Sequence, residues 1–391
     1  MGNERESTDV VILGAGPAGL VLSNLLLRSG IDCVVLERAG EEHVRNRARA
    51  GFLAAHTVRV LRRHGLDGGL RKRGREHGTC EFRTEDGRFR LDYRRLGRGE
   101  PHTVYPQHEL VADLLVSYVG AGGRIRFGTE AVEIGGFDGD RPWVATRAAD
   151  GGTGRWRARY VAACDGRHGA GRRSLPSGVG RRHRHDHGVS WLGLLAEAPP
   201  SLDAVGYATH PRGFAGHMVR SADVTRYYLQ CARGASVDAW GEEQIWDELD
   251  LRMRSVDYGP LRRGRLLQHT LVDLESDVLD PLRYGSLFLV GDAAGLISPT
   301  AAKGANLAVL GAELLATALV DELHRGDPGP LARYSERCLA HIWRAQDFSH
   351  WMIGLLHGSA PFQEGMRRSR MRALQTSRTQ QDWFAEHYVG V

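Results

Sequence analysis

A chain of 391 residues, 42% hydrophobic and 25% charged with a formal net charge of +5, is long enough for two or three packed domains and too apolar to be disordered. The basic excess does not describe a nucleic-acid protein, because nearly every cation is arginine (only Lys72 and Lys303 are lysine) and acids are interspersed throughout. The five cysteines are scattered and form no CxxC, the start Met1–Thr8 is short and charged, and no apolar run approaches the roughly 20 residues of a membrane span, so a reduced cytoplasmic setting is expected rather than a disulfide framework, a zinc motif or an exported chain.

The first organised stretch runs from Asp9 to Arg38. Val10-Val11-Ile12-Leu13 has the length and composition of a buried parallel strand. Gly14-Ala15-Gly16-Pro17-Ala18-Gly19 follows, then a helical spacing of Leu20, Leu22, Leu25, Leu26 and Leu27 that ends at Gly30. Cys33-Val34-Val35-Leu36 reads as a second strand closing at Glu37. This βαβ unit predicts dinucleotide binding. Its glycines allow a tight turn and let backbone N–H groups and the helix N-terminus approach a pyrophosphate, while Glu37 can accept hydrogen bonds from a ribose hydroxyl.

Arg45, Arg47 and Arg49 come next and either bind a phosphate or lie as surface charge, ahead of a helix through His56, Val58, Leu61 and Leu66. Residues 76–93 alternate around an Asp86-Gly87 turn, which predicts an antiparallel hairpin. An α/β pattern returns at Thr103-Val104-Tyr105-Pro106-Gln107 and the helix through Leu110, Leu114 and Leu115. Arg124 to Ile134 and Trp143 to Thr146 read as strands, and Tyr160 to Cys164 as a buried strand ending at Asp165-Gly166. The densest basic cluster, Arg181 to His187, reads as a solvated loop rather than a phosphate or metal patch. Residues 189–231 have strand spacing and predict the antiparallel sheet of a second domain. Leu287-Phe288-Leu289-Val290 is another parallel-type strand, ending at Gly291-Asp292 and leading through Pro299-Thr300 into a helix from Gly304. From Asp327 the chain is helical, with an irregular end from Glu386 to Val391.

Three fingerprints therefore stand in order: GxGxxG, then Asp165-Gly166, then Gly291-Asp292. With Arg47-Ala48-Arg49-Ala50-Gly51, Thr103 to Gln107, Trp191 to Leu195, His210 to Ala215 and the run from Gly291 to Leu307, the chain resembles the 4-hydroxybenzoate 3-monooxygenase family of single-component, FAD-dependent aromatic hydroxylases. The resemblance runs nearly end to end, from Val10 to Tyr388.

It implies a mixed α/β fold. A Rossmann-like FAD-binding domain would comprise residues 1–72, 102–181 and 267–349, an inserted antiparallel β-sheet substrate domain 73–101 and 182–266, and a helical C-terminal region 350–391. It also implies an oxidoreductase that uses FAD, NADPH or NADH, and O2 to hydroxylate a para-hydroxylated aromatic acid ortho to its phenol, with oxygen activated at the flavin C4a. Small aromatic acid and O2 are the expected partners, without nucleic acid or membrane, and a homodimer is an expected assembly.

The implied cofactor residues are Gly14, Gly16, Pro17, Ala18, Gly19, Glu37, Arg38, Arg47, Arg49, Gln107, Asp165, Asp292, Lys303, Gly304, Ala305 and Asn306. In that set Asp292 holds the ribityl chain, and the helix opening at Gly304-Ala305-Asn306 aims its dipole at the flavin. For the nicotinamide dinucleotide the resemblance implies Arg38, Arg49 and His168, but Glu275 stands where the family uses arginine. That reversal is expected to weaken phosphate binding and to relax the choice between NADPH and NADH. For the substrate it implies a carboxylate held by Arg220 and Tyr228, further contacts from Tyr207 and Met218, and Thr300 with Pro299, the latter also counted as catalytic, in the flanking loop. Tyr207, Tyr388 and His77 are implied as a relay that removes the phenol proton, with the His working near an ordinary pKa of about 6.5.

Departures from the family pattern fall on the pocket wall. Met218 replaces a carboxylate-binding serine, Gly216 and His217 replace a larger apolar residue and a small one, Phe52 replaces a smaller aliphatic residue, Ser298 a proline and Gly295 a histidine. Gly216 is expected to open room for a ring substituent. A substituted substrate such as 3,4-dihydroxybenzoate or 3-amino-4-hydroxybenzoate is therefore an alternative, as is a flavin-binding protein that no longer hydroxylates.

Overall fold

The structure, a computed structural model, describes residues 5–47, 51–254, 260–358 and 360–390. Arg49 thus lies outside the described residues.

A six-stranded sheet forms one half, in the order Arg283–Tyr284, Leu287–Leu289, Tyr160–Ala163, Val10–Leu13, Cys33–Leu36, Arg124–Arg126. All neighbours are parallel except the Arg283–Tyr284 edge. The strands Val10–Leu13 and Cys33–Leu36 are apolar throughout because other elements cover them and every residue is buried. Helix Pro17–Arg28 packs on the sheet beside helices Gln107–Gly120 and Gly304–Arg325. Contrary to expectation, Gly304–Arg325 has the length and composition of a membrane span, but most of it is buried inside the fold as a core helix. The three sequence fingerprints leave the C-terminal ends of three adjacent parallel strands, so they converge on one edge of the sheet. That edge is where open α/β sheets take their ligands.

The other half is an eight-stranded, mainly antiparallel sheet in the order Gly295–Leu296, Arg265–Asp280, Arg181–Glu197, Thr225–Ala232, Ala215–Val219, Val205–Ala208, Thr79–Thr84, Gly87–Asp92. Strand alternation divides its residues between two faces. One face carries Leu192, Leu194, Ala215, Tyr227 and Leu229 against Ile245, Trp246 and Leu249 of helix Glu242–Met253. The opposite face carries Trp191, Tyr207, Phe214, Met218 and Tyr228, in one cluster with Met352, Phe384 and Tyr388 of the C-terminal helices.

Two expectations are corrected here. Arg181 to His187 is not a loop but the start of the strand Arg181–Glu197, paired along Arg265–Asp280. Cross-strand ion pairs such as Arg182–Asp277 and Arg184–Glu275 stabilise a strand whose sequence has no apolar signal. The chain end is not irregular from Glu386, since helix Arg378–Val389 continues through it. The expected boundaries at 266/267 and 349/350 fall inside the strand Arg265–Asp280 and the helix Tyr334–Leu356, so the chain passes between layers without a linker at either place.

Candidate active site

The three glycines of the first turn serve different ends. Gly14 has φ +92°, and a Cβ there would lie 2.7 Å from the Cys164 carbonyl oxygen; a Cβ on Gly19 would lie 2.0 Å from the oxygen of Gly14. Both permit close approach of backbone to backbone. At Gly16 a Cβ would meet nothing within 4 Å, so this glycine faces open space above the N-terminus of helix Pro17–Arg28, with Pro17 at its first position and Ala18 buried behind it. Glu37 closes the cradle: Oε2 accepts the Ala15 N–H at 2.7 Å and Oε1 the Ala39 N–H at 2.8 Å, which leaves each oxygen a lone pair for a ribose hydroxyl.

Asp165 and Asp292 reach the same edge. Asp165 accepts the Gly171 N–H on Oδ2 at 3.0 Å, while its buried Oδ1 has no partner within the protein; burial raises its pKa. Asp292 sits in the turn Gly291–Ala293, entered through Gly291 at φ +63°. Gln107 is the buried first residue of its helix, Arg47 caps the helix Glu41–Asn46, and Arg38 is exposed beyond Glu37. Open space at Gly16, the accepting edge of Glu37 and the orphaned Asp165 oxygen fit a bound flavin dinucleotide.

The helix N-terminus facing this edge is held from behind. Asn306 accepts the Ala54 N–H at 2.8 Å and the Thr57 hydroxyl at 2.7 Å on Oδ1, and donates to the Phe52 and Ala302 carbonyls at 3.1 and 2.9 Å. All its capacity is used, so it acts as a staple that positions Gly304 and Ala305. The loop before it runs through Pro299 and buried Thr300, whose N–H and hydroxyl both meet the Ser298 hydroxyl. It ends at Ala302, φ +52°, the one non-glycine residue of positive φ among the described residues and a mark of local strain. Lys303 is buried and donates to the carbonyls of Tyr388, at 2.9 Å, and Gly390. Its ammonium lies at the negative end of helix Arg378–Val389, and burial lowers its pKa to about 7.

Tyr207 and Tyr388 are joined hydroxyl to hydroxyl at 2.8 Å. Burial pushes both phenols well above their ordinary range, so both remain neutral donors. His77 does not touch this pair: its Nδ1 is 2.8 Å from the hydroxyl of Tyr93, which also lies 3.4 Å from His102 Nδ1. The Tyr93 and His102 rings stand edge to face against Tyr388 at 5.2 and 5.0 Å. The three residues implied for the relay thus fall in two separate hydrogen-bonded sets, and sequence reasoning missed Tyr93 and His102. The register that sets His102 opposite His77 is a tertiary fact with no local signal. Nor is His77 an ordinary histidine, because burial lowers its pKa to about 4. It is neutral at pH 7.

His77 and Arg220 line one cleft of about 480 Å³ together with Val104, Leu202 and Val219. Arg220 Nη1 is buried without a hydrogen-bond partner, and burial brings its pKa down to about 10. Arg226, also missed from the sequence, pairs in register with Met218 and has Nε and Nη1 buried and unpartnered, its guanidinium 5.7 Å from the Tyr228 ring. Two cations in need of acceptors beside an aromatic wall are what a planar carboxylate would satisfy.

The wall departs from expectation at two places. Gly216 opens no room, because Phe214 fills the space and a Cβ would lie 2.8 Å from its ring. His217 points to the other face, where its Nδ1 meets the Ala204 carbonyl at 3.2 Å and its Nε2 accepts the Ser201 N–H. Phe52 packs edge-on against His77 and His102, and Gly295 lies against Ile342.

His168 is exposed beside Arg167, whose Nε donates to its Nε2 at 2.8 Å. Glu275 is not a free negative charge: it is buried and accepts from Arg167 at 2.6 Å, Arg233 at 2.8 Å and Arg184 at 3.0 Å, which hold its pKa near 2. The sequence reversal is answered by three guanidinium groups, so Glu275 does not present a free negative charge to a phosphate, contrary to expectation.

These features define a flavin-dependent oxygenase framework, a dinucleotide edge set against a phenol-lined sheet. A family profile described as FAD binding domain matches residues 7–349. The chain is 35% identical to p-hydroxybenzoate hydroxylase of Acinetobacter baylyi over 387 residues, covering 98% of this chain and 95% of that protein. It is 30% identical over 351 residues to 3-amino-4-hydroxybenzoate 2-monooxygenase of Streptomyces platensis, covering 85% and 84% of the two chains. Its fold matches the crystal structure of p-nitrophenol 4-monooxygenase from Pseudomonas putida with a TM-score of 0.81 at 20% identity, over 98% of this chain and 99% of that one. The chain belongs to the p-hydroxybenzoate hydroxylase family of FAD-dependent aromatic monooxygenases.

Proposed function

We propose that the protein uses NADPH or NADH and O2 to hydroxylate 4-hydroxybenzoate, or a close para-hydroxylated aromatic acid, ortho to its phenol. The observation that carries this reading is the placement of the Tyr207–Tyr388 pair on the sheet face that also presents Tyr228, Met218 and Arg226. One end of that face receives a phenol and the other a carboxylate.

In this reading residues 1–72, 102–181 and 267–349 form the FAD-binding unit, 73–101 and 182–266 the substrate unit, and 350–391 the helical end. FAD, when bound by Gly14 to Gly19, Glu37, Asp165, Asp292 and the Gly304 helix N-terminus, supplies hydride acceptance, O2 activation and oxygen transfer. The protein supplies orientation and a route for the phenol proton. Arg220 and Arg226 donate to the carboxylate, and Tyr228 and Phe214 flank the ring. The substrate hydroxyl donates to Tyr207 Oη, and Tyr207 passes a proton to Tyr388. Tyr93 and neutral His77 carry it to the cleft, the step between the pairs requiring a hydroxyl rotation or a water. Loss of the phenol proton makes the ring carbon ortho to it more nucleophilic. Pro299 and Thr300 close the pocket on the FAD side.

Arg167 and Arg184, brought together by Glu275, leave the surface beside His168 cationic. This surface tolerates the extra phosphate of NADPH, Arg38 and Arg49 are further nicotinamide contacts that the resemblance implies, and both donors serve. Met218, which cannot donate to a carboxylate, supports the second reading, a ring-substituted 4-hydroxybenzoate. We place the enzyme in the cytoplasm.

The test is a panel of para-hydroxylated aromatic acids scored for stimulated NAD(P)H oxidation with product identification. Ortho-hydroxylated product from 4-hydroxybenzoate or a substituted form supports the proposal; oxidation that yields only peroxide with every acid overturns it.

A further inference from the structure

Strand Arg181–Glu197 and helix Tyr334–Leu356 bring three histidines together at a place that neither the dinucleotide edge nor the phenol relay uses. One ring nitrogen from each of His185, His187 and His350 lies within 4.8 Å of the other two. Ring centroids are 4.7 Å apart for His185–His187 and 5.6 Å from each to His350. His185 and His187 are two apart on a strand and share a face. The strand bulges at His187 itself, where pairing to the neighbouring strand lapses between Asp186 and Ser190 and Gly188 has φ +73°. His185 and His350 are exposed and His187 half-buried, so the cluster is open to solvent yet anchored at one corner.

The anchor has directed hydrogen bonds. His187 Nε2 is 3.0 Å from the Ser276 hydroxyl, which bonds Gln346 Oε1 at 2.7 Å, while Gln346 Nε2 donates to the Leu296 carbonyl at 2.8 Å. The amide must donate to Leu296, so its oxygen accepts from Ser276. The hydroxyl is then an acceptor toward His187, and His187 carries its proton on Nε2. That leaves the Nδ1 lone pair for the cluster, the kind of outer-layer orientation that metal-binding imidazoles use.

We propose that His185, His187 and His350 form a binding site for a divalent transition ion, zinc by preference, with the fourth position left to water. Three imidazole nitrogens without a carboxylate disfavour calcium and magnesium and suit zinc. Zinc–nitrogen bonds of about 2.1 Å set ligand atoms about 3.4 Å apart in a tetrahedron, a closure that side-chain rotation provides. The ion would cross-link the long strand of the sheet to the helix behind it. Through Ser276 and Gln346 it would also brace Leu296, just ahead of the Ser298–Ala302 loop.

The experiment uses the full chain with FAD bound, stripped of metal by chelation and equilibrated with zinc alone. Binding is read by equilibrium dialysis with elemental analysis. One zinc per chain with a micromolar or tighter dissociation constant is expected, with binding weakened at least roughly tenfold in His350→Ala and in His185→Ala. Both substitutions are at exposed positions, and retained flavin absorbance and circular dichroism certify their fold. His183→Ala, on the same strand but packed against Trp343, should bind as wild type. Zinc should raise the thermal midpoint of wild type and of His183→Ala but not of His350→Ala. Absence of saturable zinc in wild type, or undiminished binding in both histidine variants, overturns the proposal.

Discussion

The two halves of the molecule build their chemistry from different materials. At the edge of the six-stranded sheet the working parts are mostly backbone: a turn that only glycine can make, a helix N-terminus, and a carboxylate held by two amides. On the face of the eight-stranded sheet they are side chains contributed by separate segments, from His77 to Tyr388. Backbone chemistry must be contiguous, so it leaves a motif. Side-chain chemistry is assembled by topology, and can be rearranged without one.

Substitutions at the glycines break this contrast most severely. Gly19→Ala places a carbon against the Gly14 oxygen and should cost roughly 3 kcal/mol or more, yielding little folded protein. Gly16→Ala meets no protein atom and should leave stability within about 1 kcal/mol while sharply reducing retained FAD. Thermal midpoints of the apoproteins and FAD content after gel filtration separate the two. Equal loss of stability would show that the space at Gly16 is not reserved for the dinucleotide.

Next in size is the relay. Tyr207→Phe should lower hydroxylated product per NAD(P)H by roughly a hundredfold, with peroxide formed instead and substrate affinity little changed. Tyr93→Phe, which cuts His77 from the chain but spares Tyr207–Tyr388, should cost about tenfold. Single-turnover rates against pH sharpen the point. Because His77 is neutral down to about pH 4, its titration should contribute no inflection near 6.5. Wild-type coupling in Tyr207→Phe would remove the tyrosine from its role.

Met218→Ser tests the wall. A hydroxyl that reaches the carboxylate should tighten 4-hydroxybenzoate by about 1.5 kcal/mol, roughly tenfold in Kd, and alter relative rates across ring-substituted acids. Unchanged rankings would mean that Arg220 and Arg226 already satisfy the carboxylate.

The remaining effect is on acid stability. Burial lowers the pKa of His77 and His217 to about 4 and of His357 to about 3, so the unfolded chain binds protons that the folded one refuses. Stability should hold above pH 6.5 and fall as pH drops from there toward 4. Replacing His217 with Gln should flatten the thermal midpoint in that window.

Legibility followed the same division. The βαβ unit, the hairpin at Asp86-Gly87 and the late strand into Gly291-Asp292 were all readable because their signals are local periodicity and turn chemistry. The Tyr207–Tyr388 contact was reached only through resemblance, since nothing local links positions 181 residues apart. Tyr93, His102 and Arg226 escaped notice because each owes its place to pairing between strands or packing between rings. Arg181 to His187 is exposed, as its charge suggests, but misled as to backbone, because a charged run usually means a loop. Here charges on two neighbouring strands neutralise each other, and a polar sequence becomes a ladder.

The alternation of Gly216, His217 and Met218 constrains how such a pocket can change during evolution. Neighbouring positions in this strand belong to different environments, one facing the Tyr207 side and the other the helix Glu242–Met253 side. A single-residue insertion would exchange the two sets at a stroke, turning a buried histidine toward the substrate and a pocket methionine toward the hydrophobic layer behind. Point replacement at every second position changes one face and leaves the other in place. A directed-evolution library gains by randomising Phe214, Gly216, Met218, Arg226 and Tyr228 while holding Ala215, His217, Tyr227 and strand length constant.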